Sequence, residues 1–260
     1  VDVITSIGAE DRREDVIDAC LRHNVSLKPF YLPGSPTTRK LRYVDTSFLG
    51  KLFEVQFIDD HPLPEDQRRE LNEMLIDLAP QYDAVLVNDF GHGLITGDTV
   101  DTICGLDTFI AVNAQTNSAN RGYNLITKYP RADYICIDSP EARLAVGDQF
   151  SDLETIASRS LPARIDCGKI ILTHGRHGCT TFESGVGSQT IPALTQTVVD
   201  TMGAGDAFFA VTALLAKAGG RAADLGLIGN MVGALKVGIV GHRESIDKVS
   251  VIKALTGALK

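Results

Sequence analysis

Short apolar runs that alternate with helical segments constrain the fold more strongly than any other feature of this sequence. The runs are Ala84 to Val87, Phe109 to Val112, Tyr134 to Ile137 and Lys169 to Leu172. Apolar runs of this length are typical of strands that are buried on both faces. Strands separated by helices form a mostly parallel sheet with helices on both sides. The pattern therefore predicts an α/β fold.

Two segments outside these runs show the periodicity of amphipathic helices. Between Glu10 and His23, apolar side chains recur four residues apart. Between Pro64 and Leu78, the residues Leu71, Leu75 and Leu78 share one face, with Glu and Arg opposite. Both segments are therefore predicted to be helices.

The region from Val25 to Ile58 interrupts the alternation with three β-rich runs. Their sequences are LKPFYL, TTRKLRYVD and KLFEVQFID, and a turn-forming Pro-Gly-Ser-Pro segment separates the first two. The runs predict an antiparallel excursion from the main sheet. Such an excursion is either a lid over a ligand site or a hairpin without a role in binding.

Composition and charge exclude several classes of protein. The 33 Asp and Glu residues outnumber 25 Lys and Arg residues, which gives a net charge of −8. With no basic block in the sequence, we expect no nucleic-acid partner. The five cysteines lack metal-binding spacing, which suits a reducing compartment. Because the sequence has no long apolar stretch and no signal-peptide pattern at its start, we expect a cytoplasmic protein without membrane contact.

The segment VVDTMGAGDAFFA, from Val198 to Ala210, is the most informative motif for function. A small-residue turn opens there into AFFAVTALLA, whose composition is typical of a buried helix. The N–H groups of Gly203, Ala204 and Gly205 at the helix start would form an anion hole for a phosphoryl group. Asp206, in the first turn, would accept the proton of an attacking hydroxyl and is the candidate catalytic residue.

Both acidic residues of this motif have a structural alternative. Asp206 in the first turn would also compensate the helix dipole. Asp200, at the start of the turn, would either orient a cation or brace the loop. The residue types alone leave these alternatives open.

The complete DTMGAGD string resembles the second signature of the PfkB/ribokinase family of carbohydrate kinases, and the resemblance covers nearly the whole chain. It implies a ribokinase-like three-layer α/β sandwich with a mostly parallel central sheet and a small antiparallel β lid. It also implies ATP-dependent phosphoryl transfer to a hydroxyl of a sugar or sugar phosphate. The implied cofactors are ATP and Mg²⁺, together with a monovalent cation such as K⁺.

The segment ICIDSPEARL resembles the family's strand followed by NxxE, whose residues hold Mg²⁺ and phosphates through water. Asp138 stands where Asn is usual, and Glu141 matches the Glu. The resemblance implies a metal site at these two residues, and carboxylate oxygens suit such a cation. Asp138 would also cap the helix that starts near Pro140, and the two roles are compatible.

Two further matches point to the nucleotide. LTHGRHG resembles the family's TxGxxG loop beside the phosphates and base, which nominates Thr173, Gly175 and Gly178. Asn230 matches a family position near the adenine. A turn that requires glycine would also account for the first match, and a buried Asn satisfied by backbone groups would account for the second.

The acceptor is suggested by two segments that resemble D-glycero-D-manno-heptose-7-phosphate kinases. SPTTRKLRY resembles their PTTxKxR lid segment, which nominates Thr38, Lys40 and Arg42, and the cationic side chains suit a phosphate already on the substrate. VNDFGHGL resembles their SDYxKG loop and nominates Asp89, but His92 stands where Lys is usual. Cationic residues on an exposed edge strand also discourage aggregation, which is an equally good account of the first segment.

Amide side chains follow the strand Phe109 to Val112, at the strand end where α/β sheets place ligands. They are Asn113, Gln115, Asn117 and Asn120. The amides suit recognition of a polyhydroxyl ligand, with Asn113 as the candidate substrate-binding residue. Alternatively, they are turn formers.

We expect one kinase domain, residues 1–260, with the lid strands in 25–58. Family members open with a strand bearing a sugar-binding Asp and a GGxxxN segment, and VDVITSIGAED resembles the part that follows both. The chain is then either an active kinase of a small-molecule sugar or sugar phosphate, or a non-catalytic nucleotide- or sugar-binding module. In the second case it would be part of a multidomain protein with a fused nucleotidyltransferase. The lid edge would also pair with a second copy in a homodimer.

Overall fold

The computed structural model describes residues 1–45, 51–116, 120–195, 197–241 and 243–258. These residues form two compact units. The first comprises Val1–Met74 and Gly91–Thr99, and the second comprises Leu75–Phe90 and Val100–Lys260. Within the described ranges, no helix combines the length and the apolar character needed to cross a membrane.

The secondary structure follows the chain in this order. The strands of the described residues are β1 (Asp2–Gly8), β2 (Ser26–Leu32), β3 (Arg39–Val44), β4 (Lys51–Phe57), β5 (Ala84–Asp89), β6 (Phe109–Ala114), β7 (Tyr134–Asp138), β8 (Lys169–Thr173), β9 (Cys179–Glu183) and β10 (Gly187–Ile191). The α-helices are α1 (Glu14–Cys20), α2 (Glu65–Leu78), α3 (Gly97–Cys104), α4 (Ser139–Val146), α5 (Leu153–Thr155), α6 (Ala204–Lys217), α7 (Ala222–Lys236) and α8 (Lys248–Ala258).

The second unit contains a six-stranded sheet with the order β10-β9-β8-β7-β6-β5. Strands β5 to β8 are parallel, and β9 and β10 run antiparallel to their neighbours. The four predicted apolar runs lie in the four parallel strands. Ile110, Val112, Ile135 and Ile137 have no exposed surface. The central strands are apolar throughout because both of their faces are buried.

One face of this sheet packs against α6 and α7. The rings of Tyr134 and Phe209 are stacked with centroids 6.3 Å apart, and the Tyr134 hydroxyl donates to Oγ1 of Thr212 at 2.7 Å. The two helices approach closely at Gly229, where an added Cβ would lie 2.4 Å from the Phe208 ring. Glycine at this position therefore allows α7 to pack on α6.

The other face of the sheet packs against α4. Because side chains alternate along a strand, Ile135 and Ile137 point away from the face that carries Tyr134. Helix α4 contacts β7 and β8, and its residues Ala142 and Ala145 are buried. Helices on both faces give three layers, which confirms the predicted α/β class with a mostly parallel sheet.

The first unit contains two small sheets. Strands β1 and β2 pair in parallel, and β3 and β4 pair antiparallel. The predicted antiparallel pairing is confirmed for TTRKLRYVD and KLFEVQFID. It is wrong for LKPFYL, which lies in β2, because α1 makes a crossover between β1 and β2 that returns the chain in the same direction.

Candidate active site

The glycine-rich turn leads directly into the first turn of α6. Gly203 adopts a left-handed conformation, with φ 71° and ψ 9°, which other residues rarely adopt. Gly205 is exposed, and a Cβ added there would meet no atom within 4 Å. The Ala204 N–H donates to the Thr201 carbonyl at 3.3 Å. The start of α6 is therefore built by glycine and open on the side of Gly205.

Asp206 lies in the first turn of α6 and is exposed. Its Oδ1 accepts a hydrogen bond from Nε2 of Gln115 at 2.9 Å. Gln115 directly follows β6, so this bond joins the carboxyl end of a central strand to the amino end of α6. Ligands of parallel α/β sheets bind at this edge. The sequence places Gln115 among the strand-end amides but contains no signal for its contact with Asp206.

Asp138 and Glu141 form the cap of α4 at the end of β7. Asp138 is the N-cap residue, and its Oδ1 accepts from the Ser139 N–H at 2.8 Å. Glu141 Oε2 accepts from the Asp138 N–H, and Glu141 Oε1 accepts from the Thr116 N–H, each at 3.0 Å. The capping alternative is therefore realised for Asp138. Thr116, next to Gln115, connects this cap to the end of β6.

Burial and neighbouring acidic groups shift the titration of this pair. Burial raises the pKa of Glu141 to about 7, and the carboxylates of Asp138 and Asp206 add to the rise. Burial also raises the pKa of Asp138, against the opposing effect of the Ser139 N–H and of His174. Glu141 is therefore close enough to Asp138 and to Asp206 to be repelled by both carboxylates, and a cation beside Glu141 would be stabilised.

The acidic pair fits a hydrated Mg²⁺ ion. Each Glu141 oxygen accepts one backbone N–H, and a carboxylate oxygen can accept a second donor. Mg²⁺ keeps several of its waters and binds one or two carboxylates. Among the residues that the structure describes, no group of three or more His, Cys, Asp or Glu side chains is arranged to hold a metal. Coordination through water is the mode that two carboxylates of this kind support.

The TxGxxG segment follows β8 beside Asp138. Thr173 pairs in register with Asp138, and the next residues form a short turn from Gly175 to His177. Gly175 and Gly178 have positive φ values of 51° and 91°. A Cβ at Gly178 would lie 2.0 Å from the Ile191 carbonyl oxygen. The turn therefore requires Gly178 for packing, whatever it binds.

Asn230 lies on α7 and is 8% exposed. Its Nδ2 donates to the carbonyl oxygens of Ile191 at 3.1 Å and of Pro192 at 2.9 Å. The side-chain amide thus braces the end of β10 and the residue that follows it, which agrees with the structural alternative for this residue. A role beside the nucleotide stays a prediction.

Asp89 and Asn113 lie at neighbouring strand ends, and both are buried. Asp89, at 3% exposure, accepts from the Tyr129 hydroxyl at 2.7 Å and pairs with the Lys128 ammonium group. Asn113 donates through Nδ2 to the Cys136 carbonyl at 2.7 Å. Its Oδ1 is buried and has no hydrogen-bond partner within the described residues. Asn113 therefore has an unused acceptor within the described residues, whereas the Asp89 carboxylate is used internally.

The remaining polar residues near these strand ends have structural contacts. Asp200 accepts from the Met202 N–H at 3.0 Å and from the Gly241 N–H at 2.8 Å, so it braces the loop. Asn120 donates to the Phe90 carbonyl at 2.8 Å. Asn117 lies outside the described residues.

The residues that were predicted to lie on the lid, Thr38, Lys40 and Arg42, belong to the first unit. Lys40 and Arg42 share one face of β3 because they are two residues apart, and Thr38 immediately precedes the strand. Arg42 Nε lies 2.6 Å from Oε2 of Glu54 on β4. His92 Nδ1 lies 2.8 Å from Oδ1 of Asp60.

Within the second unit, the structure brings together the polar residues at the carboxyl ends of β6, β7 and β8 and at the start of α6. The profile of a family described as pfkB family carbohydrate kinase matches residues 92–249. The chain belongs to the pfkB family. The members of this family are carbohydrate kinases, and the kinases of the family are ATP-dependent.

A curated relative of this pfkB-family kinase is the bifunctional protein HldE of Bradyrhizobium diazoefficiens. The two are 26% identical over 197 residues, which cover 72% of this chain and 38% of that protein. The chain thus spans about two fifths of the length of this relative.

Solved structures share the fold of this pfkB-family chain. Ribokinase from Thermotoga maritima matches with a TM-score of 0.69 at 18% identity, covering 98% of this chain and 81% of that one. Phosphofructokinase-2 from Escherichia coli in complex with potassium matches with a TM-score of 0.77 at 13% identity, covering 100% and 82%. These similarities confirm the predicted ribokinase-like fold.

Proposed function

We propose that this pfkB-family kinase transfers the γ-phosphoryl group of ATP to a hydroxyl of a sugar or sugar phosphate, with Asp206 as general base. The observation that carries the proposal is an exposed carboxylate at an open helix start built by glycine. Asp206 would take the hydroxyl proton while the acceptor oxygen bonds to phosphorus and the bond to ADP breaks. The amides of Gly203 and Gly205 would stabilise the phosphoryl charge, and Ala204, the third residue of the predicted anion hole, would do so by sharing the N–H that it donates to the Thr201 carbonyl.

The cofactors of the proposal are ATP, Mg²⁺ and a monovalent cation such as K⁺. When bound, Mg²⁺ neutralises phosphate charge, and Asp138 and Glu141 would hold it through water. The monovalent cation is supported by the phosphofructokinase-2 of the same fold that was solved with potassium. The proposed nucleotide-binding residues are Thr173, Gly175, Gly178 and Asn230.

The proposed acceptor is a sugar phosphate of the heptose 7-phosphate kind. Lys40 and Arg42 on one face of β3, with Thr38 before the strand, would form charge-assisted bonds with a phosphate group, and Arg42 would exchange its contact with Glu54 for the phosphate. In the second unit, Asn113 Oδ1 would accept from a sugar hydroxyl. Asp89 is the weakest member of the predicted substrate set because its carboxylate is buried against Lys128 and Tyr129.

We propose two further properties of the complete protein. The longer bifunctional relative supports a polypeptide in which a second activity, a nucleotidyltransferase, is fused to the kinase. Exposed apolar residues on β3 and β4 support a homodimer.

Replacing the proposed base tests the reaction. We expect Asp206→Asn to lower kcat by about 10²- to 10⁴-fold, because the variant cannot take up the hydroxyl proton. Binding of ATP and Mg²⁺, measured by calorimetry, should be largely retained. The matched control is Asp224→Asn, which removes a carboxylate from the first turn of α7, where it is bound to Arg221. Unchanged turnover in Asp206→Asn would reject Asp206 as the base.

A non-catalytic nucleotide- or sugar-binding module is the second candidate. It is favoured by the internal use of Asp89 and Asn230, two residues that the proposed kinase would use for ligands. An assay of ATP consumption across sugars and sugar phosphates separates the candidates. Binding of ATP without consumption, in this chain and in a longer native form, would favour the module.

A further inference from the structure

Gln115 is held on three sides in the second unit. Its backbone N–H donates to the Asp89 carbonyl at 2.8 Å. Its own carbonyl accepts from Nδ2 of Asn124 at 3.0 Å. Its side chain reaches across to α6 and donates to Oδ1 of Asp206 at 2.9 Å. Both ends of the residue are therefore fixed by one group of neighbours, and its amide is directed at a carboxylate on another element.

The neighbours that fix the Gln115 backbone belong to a polar cluster in which Asp89 and Asn124 are buried and Lys128 is half-buried. Nδ2 of Asn124 donates to the Asp89 carbonyl at 2.9 Å, and its Oδ1 accepts from Nζ of Lys128 at 2.7 Å. The Asp89 carboxylate pairs with Lys128 and accepts from the Tyr129 hydroxyl. A buried carboxylate is costly unless it is paired and hydrogen-bonded, and Asp89 is both.

This cluster explains the position of the Gln115 backbone but not the position of the Gln115 side chain. Burial raises the pKa of Tyr129, so its hydroxyl remains a donor to Asp89. The cluster is complete without any contact to the Gln115 amide. That amide instead meets Asp206, which is 91 residues away in the chain and exposed. A hydrogen bond between an anchored amide and an exposed carboxylate restricts the rotation of that carboxylate.

We propose that Gln115 is a positioning residue for Asp206, anchored by the Asp89–Asn124–Lys128 cluster. The inference rests on the proposed function, in which Asp206 is the base. Gln115 occupies Oδ1, so Oδ2 is left to take the proton of the acceptor hydroxyl as the new oxygen–phosphorus bond forms and ADP leaves. An amide donor suits this task because it holds an ionised carboxylate without supplying a competing base. In this reading, Asp89 serves the site through Gln115 and not through the substrate.

The test compares Gln115→Met with the wild type and with Asp206→Asn. The Met side chain is similar in length to that of Gln but cannot donate a hydrogen bond, so the Asp206 carboxylate is no longer held in place. We expect kcat to fall about 10- to 100-fold, the effect of a small misplacement of a reacting group, while the KM for ATP stays near the wild-type value. Gln115→Glu should lower kcat further, because it places a second carboxylate next to that of Asp206. Gln81→Met is the matched control, since Gln81 is an exposed glutamine whose side chain donates to the Asp77 carbonyl.

A double variant distinguishes positioning from an independent role. If Gln115 acts only through Asp206, adding Gln115→Met to Asp206→Asn lowers the residual rate no further. The proposal is overturned if the rate of the double variant is reduced by the product of the two single reductions. It is also overturned if Gln115→Met keeps the wild-type kcat while Asp206→Asn is inactive, a result that leaves the kinase assignment intact. A wild-type chain that phosphorylates no sugar or sugar phosphate overturns both. Equal thermal midpoints of the variants and the wild type show that the rates are compared between folded proteins.

Discussion

At the scale of single residues, Gly178 shows how one position serves both a motif and the packing. Its N–H donates to the Gly175 carbonyl at 3.1 Å, and its carbonyl accepts from the His174 N–H at 2.7 Å. The residue adopts φ 91° in contact with the backbone of Ile191. The last glycine of the TxGxxG pattern is therefore explained by the turn itself, independently of a nucleotide.

Replacing this glycine should destabilise the second unit. We expect Gly178→Ala to lower the free energy of unfolding by about 2 to 4 kcal/mol, because the methyl group meets the Ile191 carbonyl and the backbone is left-handed. Denaturant unfolding of the variant and the wild type measures the difference. Gly168→Ala is the matched control, because a Cβ there meets no atom within 4 Å. Equal losses in both variants would contradict this account.

At the scale of elements, the junction of β7 and α4 combines a helix cap with an acidic site. Asp138 and Glu141 satisfy backbone N–H groups that a helix start leaves without partners. The same arrangement leaves Glu141 half-buried beside two other carboxylates. The cap therefore holds a titratable group whose charged form is disfavoured in the folded protein.

This junction predicts a pH dependence of stability in metal-free buffer. Folding raises the pKa of Glu141 from its ordinary 4.5 to about 7, so between these values the folded chain binds a proton that the unfolded chain has lost. The stabilising contribution of the protonated group is full below about pH 4.5 and is lost as the pH rises to about 7. We expect the stability of the wild type relative to Glu141→Gln to fall over this range, by on the order of 1 to 3 kcal/mol.

Chemical denaturation in EDTA at several pH values between 5 and 8 measures this difference. A relative stability that does not change with pH would contradict a raised pKa at Glu141. If the stability of the wild type relative to Glu141→Gln instead rises with pH, folding lowers the pKa of Glu141 and the predicted direction is wrong.

At the scale of the whole molecule, the antiparallel pair β3–β4 exposes an apolar face. Leu41 lies opposite Val55, and Tyr43 lies opposite Phe53, so the four side chains share one face. The Tyr43 and Phe53 rings stack with centroids 4.4 Å apart, and Phe53 is 54% exposed. We call these four residues the apolar hairpin face. Exposed apolar patches of this kind mark interaction surfaces.

The homodimer that we propose would cover this face. We expect the wild-type chain to sediment as a dimer and Phe53→Glu to sediment as a monomer, because a buried charge without a partner opposes association. Gln56→Glu is the matched control, since Gln56 lies on the opposite face of β4. Sedimentation over a range of protein concentrations measures the mass. A monomeric wild type, or a dimeric Phe53→Glu, would contradict this surface as the interface.

The sequence by itself determined the class of fold and the family. Buried parallel strands need apolar residues on both faces, and the consecutive apolar residues of β5 to β8 meet this requirement within each short segment. The glycine turn before α6 is equally local, because a left-handed residue at a helix start is recognisable from residue type. The family motifs add the same kind of short-range information. These features depend on neighbours in the chain, so the pattern was sufficient to predict them.

Only the tertiary structure decided which of the polar residues meet. The contact between Gln115 and Asp206 joins residues 91 positions apart, and the bond from Asn230 to the end of β10 spans 39. Asp89 has the residue type of a ligand contact, yet the fold buries it against Lys128 and Tyr129. The parallel pairing of β2 with β1 likewise follows from the path of α1. Such contacts depend on strand order, register and helix packing, and residue periodicity contains no information on these.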